Sequence, residues 1–430
     1  MKKIIPVFLL IVGLALTVNF APGQDPSLPT IVSVAKSDLR LETVRLLDLD
    51  LLMEVQGRVY IVAAPADLQK IESAGIPFRL ETGLFAPSAG NLPRLQGDLN
   101  GDFHSYYEVE SEFKAMEIAH PNQAKVFVLG DSLEGRHIYA LKVSANVQID
   151  EDEAQVLFLG CHHAREWISV EVPFLFGKYL LDHYGVDPDV TRLMNKSEIW
   201  IVPLVNPDGL EYSIHSYRYW RKNRRENGDG SWGVDINRNY GYAWAWDNIG
   251  SSPTPDSDVY RGRSPFSEPE AQAVRDFISS KNFQALISYH SYAQDILYPW
   301  GYTTTHTPDD ARLRTLAAGM AQRIQAVNGR VYTFGAAADT LYVTNGDLTD
   351  WAYGTLGVLA YTIEVPPSDA QNGGFFNAEA DIQPIFLENL PAMTYLIDQC
   401  IVRFVPAAAP ANGHKGKPAP APRPNIRVKG

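Results

Sequence analysis

From residue 103 to residue 405 the chain alternates short, almost wholly apolar runs with long amphipathic ones, and no other feature constrains the fold as much. The strand candidates are 126–129, 137–143, 156–159, 199–204, 286–289 and 358–363. Several are apolar throughout, as strands covered on both faces must be, whereas a half-solvated strand alternates polar and apolar positions. Helical patterns fall at 105–119, 168–183, 268–281, 309–327 and 381–403. The run Ser267-Glu268-Pro269-Glu270 marks one helix start, with Ser267 expected as the cap and acids in the first turn. Strands and helices in alternation predict a three-layer α/β/α domain of about 300 residues. No internal repeat is visible.

The flanks differ from this body. Residues 57–63 read as a strand, 66–73 as a helix stopped by Gly75, and 76–80 as a second extended run, so 24–98 form a small α+β unit. The run 87–93, with prolines at both ends, punctuates the chain as a linker. Lys2 and Lys3 precede an apolar run over 4–18 and then small residues. That is the pattern of a signal peptide over 1–23, with cleavage expected after Gly23. The apolar run is shorter than the ~20 residues of a membrane span. An exported protein, extracellular or periplasmic, is therefore expected, with an uncleaved N-terminal anchor as the alternative. Residues 406–430 hold six prolines and five basic residues but no acid, and read as an extended tail.

With 45% hydrophobic residues the chain can bury a large core, which excludes wholesale disorder. A net charge of −13, with both ends basic, makes the folded body clearly acidic and argues against nucleic-acid binding by bulk charge. Two cysteines, Cys161 and Cys400, are too few for a disulfide scaffold. Cys161 reads as a small buried apolar residue, and a Cys161–Cys400 disulfide stays open.

The chemistry concentrates where strand 156–159 runs into Gly160-Cys161-His162-His163-Ala164-Arg165-Glu166-Trp167. Active sites of α/β folds lie at the carboxyl ends of strands. His163 and Glu166, three apart, share one side of a helical turn and can chelate zinc. His290, where the apolar run 286–289 ends, is the best third ligand. His162 competes with His163, being four residues from Glu166, and spacing does not separate them.

His163-Ala164-Arg165-Glu166-Trp167 resembles the zinc signature of the M14 metallocarboxypeptidases of the carboxypeptidase A and B type. Further segments match that family in order: Asn206-Pro207-Asp208-Gly209, Tyr219-Trp220-Arg221-Lys222, and Gly233-Val234-Asp235-Ile236-Asn237-Arg238-Asn239. His290-Ser291-Tyr292, Thr349-Asp350-Trp351-Ala352-Tyr353 and Tyr361-Thr362-Ile363-Glu364-Val365 complete the series. The resemblance covers about 103–400. It implies a central mixed, mostly eight-stranded sheet over 99–405, one zinc ion, and hydrolysis of the C-terminal bond of peptides and proteins. His163, Glu166 and His290 would hold zinc, and Glu364 would be the general base acting on activated water. Arg221 would donate to the developing oxyanion, and Asn237 with Arg238 would grip the terminal carboxylate. Asp235 would orient the first histidine, Ser291 would contact the substrate backbone, and Tyr342 would close over it.

Thr349 stands where B-type enzymes carry aspartate and A-type enzymes an apolar residue. Asp347, in Gly346-Asp347-Leu348-Thr349-Asp350-Trp351, resembles instead the pocket acid of bacterial carboxypeptidase T. The resemblance thus implies dual specificity, for apolar and for basic C-terminal residues. It also casts 24–98 as an activation segment and the protein as a monomer, with no nucleic-acid partner and no membrane association after leader removal. Two rivals are a zinc peptidase that trims cell-wall peptides, which Asn237 and Arg238 disfavour, and a noncatalytic binding module on the same fold. The intact set of ligands and base disfavours the latter.

Overall fold

The computed structural model describes residues 30–35, 50–55, 58–63, 65–80, 99–369 and 373–404. The expected leader (1–23), the linker run 87–93 and the tail 406–430 lie outside the described residues. No described helix is long and apolar enough to cross a membrane.

Toward the N-terminus, strands β1 (Thr30–Ala35), β2 (Asp50–Val55), β3 (Arg58–Ala63) and β4 (Phe78–Leu80) form an antiparallel sheet in the order β2-β3-β1-β4. Helix α1 (Pro65–Ser73) joins β3 to β4. Val32, Val34, Ile61, Leu68 and Ile71 give this unit a small core of its own. The expected strand–helix–strand is β3, α1 and β4. The other two strands are additions, and β2 mixes acids with apolar residues in a pattern a short helix could share.

The larger unit opens with α2 (Tyr106–Ala119), where Glu108 accepts from both the backbone N–H (2.8 Å) and the hydroxyl (2.7 Å) of Ser105. There follow β5 (Ala124–Asp131), β6 (His137–Val143), β7 (Ala154–Leu159), α3 (Ile168–His183), α4 (Pro188–Met194), β8 (Ser197–Val202) and α5 (Pro207–His215). The second half runs α6 (Pro269–Ser280), β9 (Phe283–Ser291), β10 (Asp295–Tyr298), α7 (Asp310–Asn328) and β11 (Thr333–Ala336). It ends with α8 (Ala337–Thr340), α9 (Leu348–Leu356), β12 (Leu359–Val365) and α10 (Ile382–Arg403).

Eight strands make one mixed sheet in the order β11-β10-β12-β9-β7-β8-β6-β5. The inner four, β12, β9, β7 and β8, are parallel to one another, and β6, β5 and β10 run against their neighbours on the inner side. Along β7 the period of two sends Val156 and Phe158 toward α3, α7 and α10, and Leu157 and Leu159 toward α6 and α9. This is the expected three-layer arrangement, and it sets the carboxyl ends of four parallel strands along one edge.

Two expectations need correction. The strand expected at 199–204 is Ser197–Val202, because Pro203 has no N–H for the ladder. At its start, buried Glu198 stays in the sheet by pairing with Lys142 Nζ at 2.5 Å. Ser267 is not the cap of α6. Glu268 occupies that position, and the Ser267 hydroxyl donates to the Glu268 carboxylate instead (2.7 Å). Cys161 is buried, as expected, and both it and Cys400 are free, so the pairing left open does not form.

Candidate metal centre and cleft

The loop leaving β7 is shaped by its backbone. Gly160 has room for no side chain, since a Cβ there would collide with the Ser169 carbonyl. Cys161 then adopts φ 52°, in the left-handed region. This turn separates the two adjacent histidines. His162 is wholly buried, between the Tyr240 hydroxyl (Nε2, 2.9 Å) and the Ser288 hydroxyl (Nδ1, 3.3 Å). His163 points the other way, toward Glu166 and His290.

There His163 Nδ1, the Glu166 carboxylate and His290 converge. His163 Nδ1 lies 2.8 Å from Glu166 Oε1, and His290 Nδ1 lies 3.0 Å from Glu166 Oε2 and 3.1 Å from His163 Nδ1. All three residues are buried, and their ligand atoms lie within 4.8 Å of one another. The set fits a zinc ion. Two imidazole Nδ1 atoms meeting at 3.1 Å need a proton or a cation between them. The outer nitrogens are already held, His163 Nε2 by Asp235 Oδ1 (3.2 Å) and His290 Nε2 by the Ser288 hydroxyl (3.1 Å). Burial alone would raise the Glu166 carboxyl, but His163 and His290 outweigh it and hold that group below the usual carboxylate range. Burial lowers the imidazole of His290, with Glu166 opposing.

Asp235 ties this group to the next. Its Oδ2 accepts from Arg221 Nη2 (2.8 Å) and Nε (3.1 Å), while Oδ1 accepts from the Asn237 backbone N–H (2.9 Å). Burial works against its ionisation, but Arg221, His163 and Arg238 hold it well below the usual range. The guanidinium of Arg221 stands 3.9 Å from Glu166 Oε1, and the Arg221 carbonyl accepts from Ala164 N–H (2.9 Å). Arg221 is therefore fixed from both ends beside the ligand group.

Asn237 and Arg238 lie in the short helical turn Ile236–Arg238 and are buried. Asn237 Oδ1 accepts from the Leu348 backbone N–H (3.0 Å). Arg238 donates from Nε to the Gly250 carbonyl (2.9 Å) and from Nη1 to the Asn237 carbonyl (2.9 Å). No described residue takes a hydrogen bond from Arg238 Nη2 or from the Asn237 amide nitrogen. Gly346, at φ 74°, closes against this turn, where a Cβ would collide with the Arg238 carbonyl.

Glu364 reaches the site through register. In the parallel pair β12–β9 it stands opposite His290, and in the antiparallel pair β10–β12 opposite Asp295. Burial, then the charges of Glu166 and Asp295, push its carboxyl well above the usual range. Ser291 donates its backbone N–H to Glu166 Oε2 (3.2 Å), and its buried hydroxyl has no partner among the described residues.

Two expected substrate residues sit differently. Tyr342 is 44% exposed, in the loop between α8 and α9, and makes no hydrogen bond to the ligand group among the described residues. Asp347 is buried and caps α9: Oδ1 accepts from the Asp350 N–H (2.8 Å) and the Thr349 hydroxyl (2.9 Å). Its Oδ2 accepts from the Thr344 hydroxyl (2.7 Å). Sequence motifs give no role to Asp295, Ser288 or Asp350; the Asp350 carboxylate accepts from the Gly301 and Tyr302 N–H groups (2.9 and 3.0 Å). An acid heading the apolar run Ile296-Leu297-Tyr298 was the one available signal for Asp295.

A mixed eight-stranded sheet with a His-Glu-His group at its carboxyl edge is the architecture of the zinc carboxypeptidases. The family model for zinc carboxypeptidase, peptidase M14, matches residues 109–392, and the chain belongs to that family. It is 34% identical over 339 residues to the metallocarboxypeptidase A of Trichophyton rubrum, covering 77% of this chain and 78% of that one. To the carboxypeptidase B of Astacus astacus it is 35% identical over 288 residues, covering 66% of this chain and 91% of the relative. Among solved structures, thrombin activatable fibrinolysis inhibitor superposes with a TM-score of 0.71 at 26% identity, covering 87% of this chain and 99% of that one. The carboxypeptidase A of Helicoverpa armigera gives 0.71 at 25% identity, covering 87% and 98%. The protein is a zinc metallocarboxypeptidase.

Proposed function

We propose that the chain is an exported zymogen which, once residues 24–98 are removed, hydrolyses the C-terminal bond of peptides and proteins and accepts both apolar and basic terminal residues. The observation that carries this reading is the register that sets Glu364 opposite His290, beside the group His163, Glu166 and His290.

His163, Glu166 and His290 would hold one zinc ion, which when bound would supply Lewis acidity to acidify water and polarise a carbonyl. Glu364, kept protonatable by burial, takes the proton of the attacking water and returns it to the leaving amine. Arg221, locked against Asp235, places a fixed positive charge where the oxyanion develops, and Asp235 also fixes the ring of His163. Arg238 Nη2 and the Asn237 amide nitrogen bind the terminal carboxylate, which restricts cleavage to chain ends. Ser291 contacts the substrate backbone, and Tyr342 folds in from its exposed position when substrate binds. Asp347, through the oxygen not committed to the helix cap, faces a basic side chain across Thr344.

The test is hydrolysis of two blocked dipeptides, ending in Phe and in Arg, by full-length protein and by protein lacking residues 1–98, with and without a chelator. Chelator-sensitive cleavage of both, restricted to the trimmed form, is expected. Equal rates from the full-length protein would remove the zymogen reading, and cleavage of only one substrate would remove dual specificity.

A further inference from the structure

We propose that His162 is a positioning residue for the metal centre, acting through Ser288 on His290; the proposal rests on the reading of His163, Glu166 and His290 as zinc ligands. In β9 the period of two puts Ser288 and His290 on one face of the sheet. Parallel β7 brings Leu159 opposite Ser288, so the loop that follows carries His162 to the Ser288 hydroxyl. The ring of His162 lies nearly parallel to that of His290, with centroids 5.6 Å apart and an interplanar angle of 18°.

The result is a buried chain of hydrogen bonds. Tyr240 Oη meets His162 Nε2 at 2.9 Å, His162 Nδ1 meets Ser288 Oγ at 3.3 Å, and Ser288 Oγ meets His290 Nε2 at 3.1 Å. None of the four residues is more than 1% exposed, so water does not substitute for a missing link.

The chain admits two directions. If Tyr240 donates to His162, protons follow toward Ser288, whose hydroxyl donates to His290 Nε2. The proton of His290 then sits on Nδ1, toward Glu166, and the ring offers no lone pair to a cation. In the reverse direction His290 donates from Nε2 to Ser288, Ser288 donates to His162 Nδ1, and His162 donates from Nε2 to Tyr240. Only this direction frees His290 Nδ1 as a ligand. It requires an acceptor for the Ser288 hydroxyl, and His162 Nδ1 is the only one besides His290 among the described residues. An apolar residue at 162 would leave that hydroxyl donating to His290 and hold the ligand in the wrong tautomer.

The experiment measures zinc affinity of the full-length chain by competition with a chromophoric chelator, and the visible absorption of the cobalt(II)-loaded protein. His162→Phe is expected to bind zinc about 10–100-fold more weakly and to alter the cobalt spectrum. His162→Asn, whose amide oxygen replaces the Nδ1 acceptor, should keep wild-type affinity. Adding Ser288→Ala to His162→Phe should weaken binding no further, because the misdirected hydroxyl is gone. Should His162→Phe not fold, His162→Asn is compared with His162→Gln, whose amide sits at the Nε2 position, and Gln should bind more weakly. Wild-type affinity in His162→Phe, or a loss in His162→Asn as large as in the Phe or Gln variant, overturns the proposal. Wild-type protein that takes up no zinc refutes the ligand assignment itself.

Discussion

Asp295 and Glu364 face each other across the antiparallel pairing of β10 and β12, so their carboxylates leave the same face of the sheet. Asp295 is buried, and burial lifts its carboxyl to about 6 against an opposing hydrogen bond from Thr333. Its charge is one cause, after burial and Glu166, of the raised carboxyl of Glu364. Asp295→Asn keeps the shape and removes the charge. Directly opposed side chains put the two carboxylates roughly 6 Å apart. Unit charges at that distance interact by about 2.8 kcal/mol at an effective dielectric of about 20. That corresponds to about two pH units on Glu364 at about 1.36 kcal/mol per unit. Near pH 6 Asp295 is itself about half protonated, so about half of this, roughly one unit, is felt there. The sign follows from the role proposed for Glu364. The base works when ionised, and losing a neighbouring negative charge makes it ionise at lower pH. In a profile of kcat/KM against pH for trimmed, zinc-saturated enzyme, the acidic limb of Asp295→Asn should therefore move about one unit toward acid. The alkaline limb should stay in place. An acidic limb that is unmoved, or that moves toward alkali, refutes either the coupling of the two carboxylates or the assignment of Glu364 as the base.

Asp347→Asn should reduce kcat/KM on a substrate ending in Arg by about tenfold or more, the worth of an ionic hydrogen bond, and leave one ending in Phe unchanged. Asparagine also caps helices, so thermal unfolding should shift little; equal losses on the two substrates would show that the residue acts through α9 rather than through the substrate. Removing zinc should lower the unfolding temperature, since a ligand at about 1,000 times its Kd stabilises by about 4 kcal/mol. Differential scanning calorimetry with and without chelator measures this, and an unchanged unfolding temperature would argue against a metal shared by three buried side chains.

The parts of the fold legible in the sequence are those where burial is two-sided. β7, β8, β9 and β12 are apolar because helices cover both faces, and each was expected to within a few residues. The short strands β10 and β11, four residues each at one side of the sheet, carry Asp295, Thr333 and Gly335 and give no comparable run. The short helix α9 was also missed, and with it a role for Asp347. As a motif residue the aspartate reads as a pocket acid, yet one of its oxygens is committed to the Asp350 N–H. A carboxylate used in this way holds a fixed orientation, so the cap and a substrate contact are compatible only if the second oxygen alone meets the ligand.

The choice between His162 and His163 shows what spacing withholds. Both histidines lie within reach of Glu166 along the chain, and nothing in their order favours either as a ligand. What decides is one backbone angle, φ 52° at Cys161, together with Gly160, whose lack of a side chain lets β7 pack against Ser169. Those two residues send His163 to Glu166 and His290, and His162 to Tyr240 and Ser288. Register does the same for the carboxylates. Glu364 and Asp295 are separated by 69 positions in the chain, and only the antiparallel pairing of β10 with β12 makes one an electrostatic neighbour of the other. Motifs thus pick out His163, Glu166 and His290, which the fold brings together, but the tautomer proposed for His290 and the raised carboxyl of Glu364 depend on residues that no motif singles out.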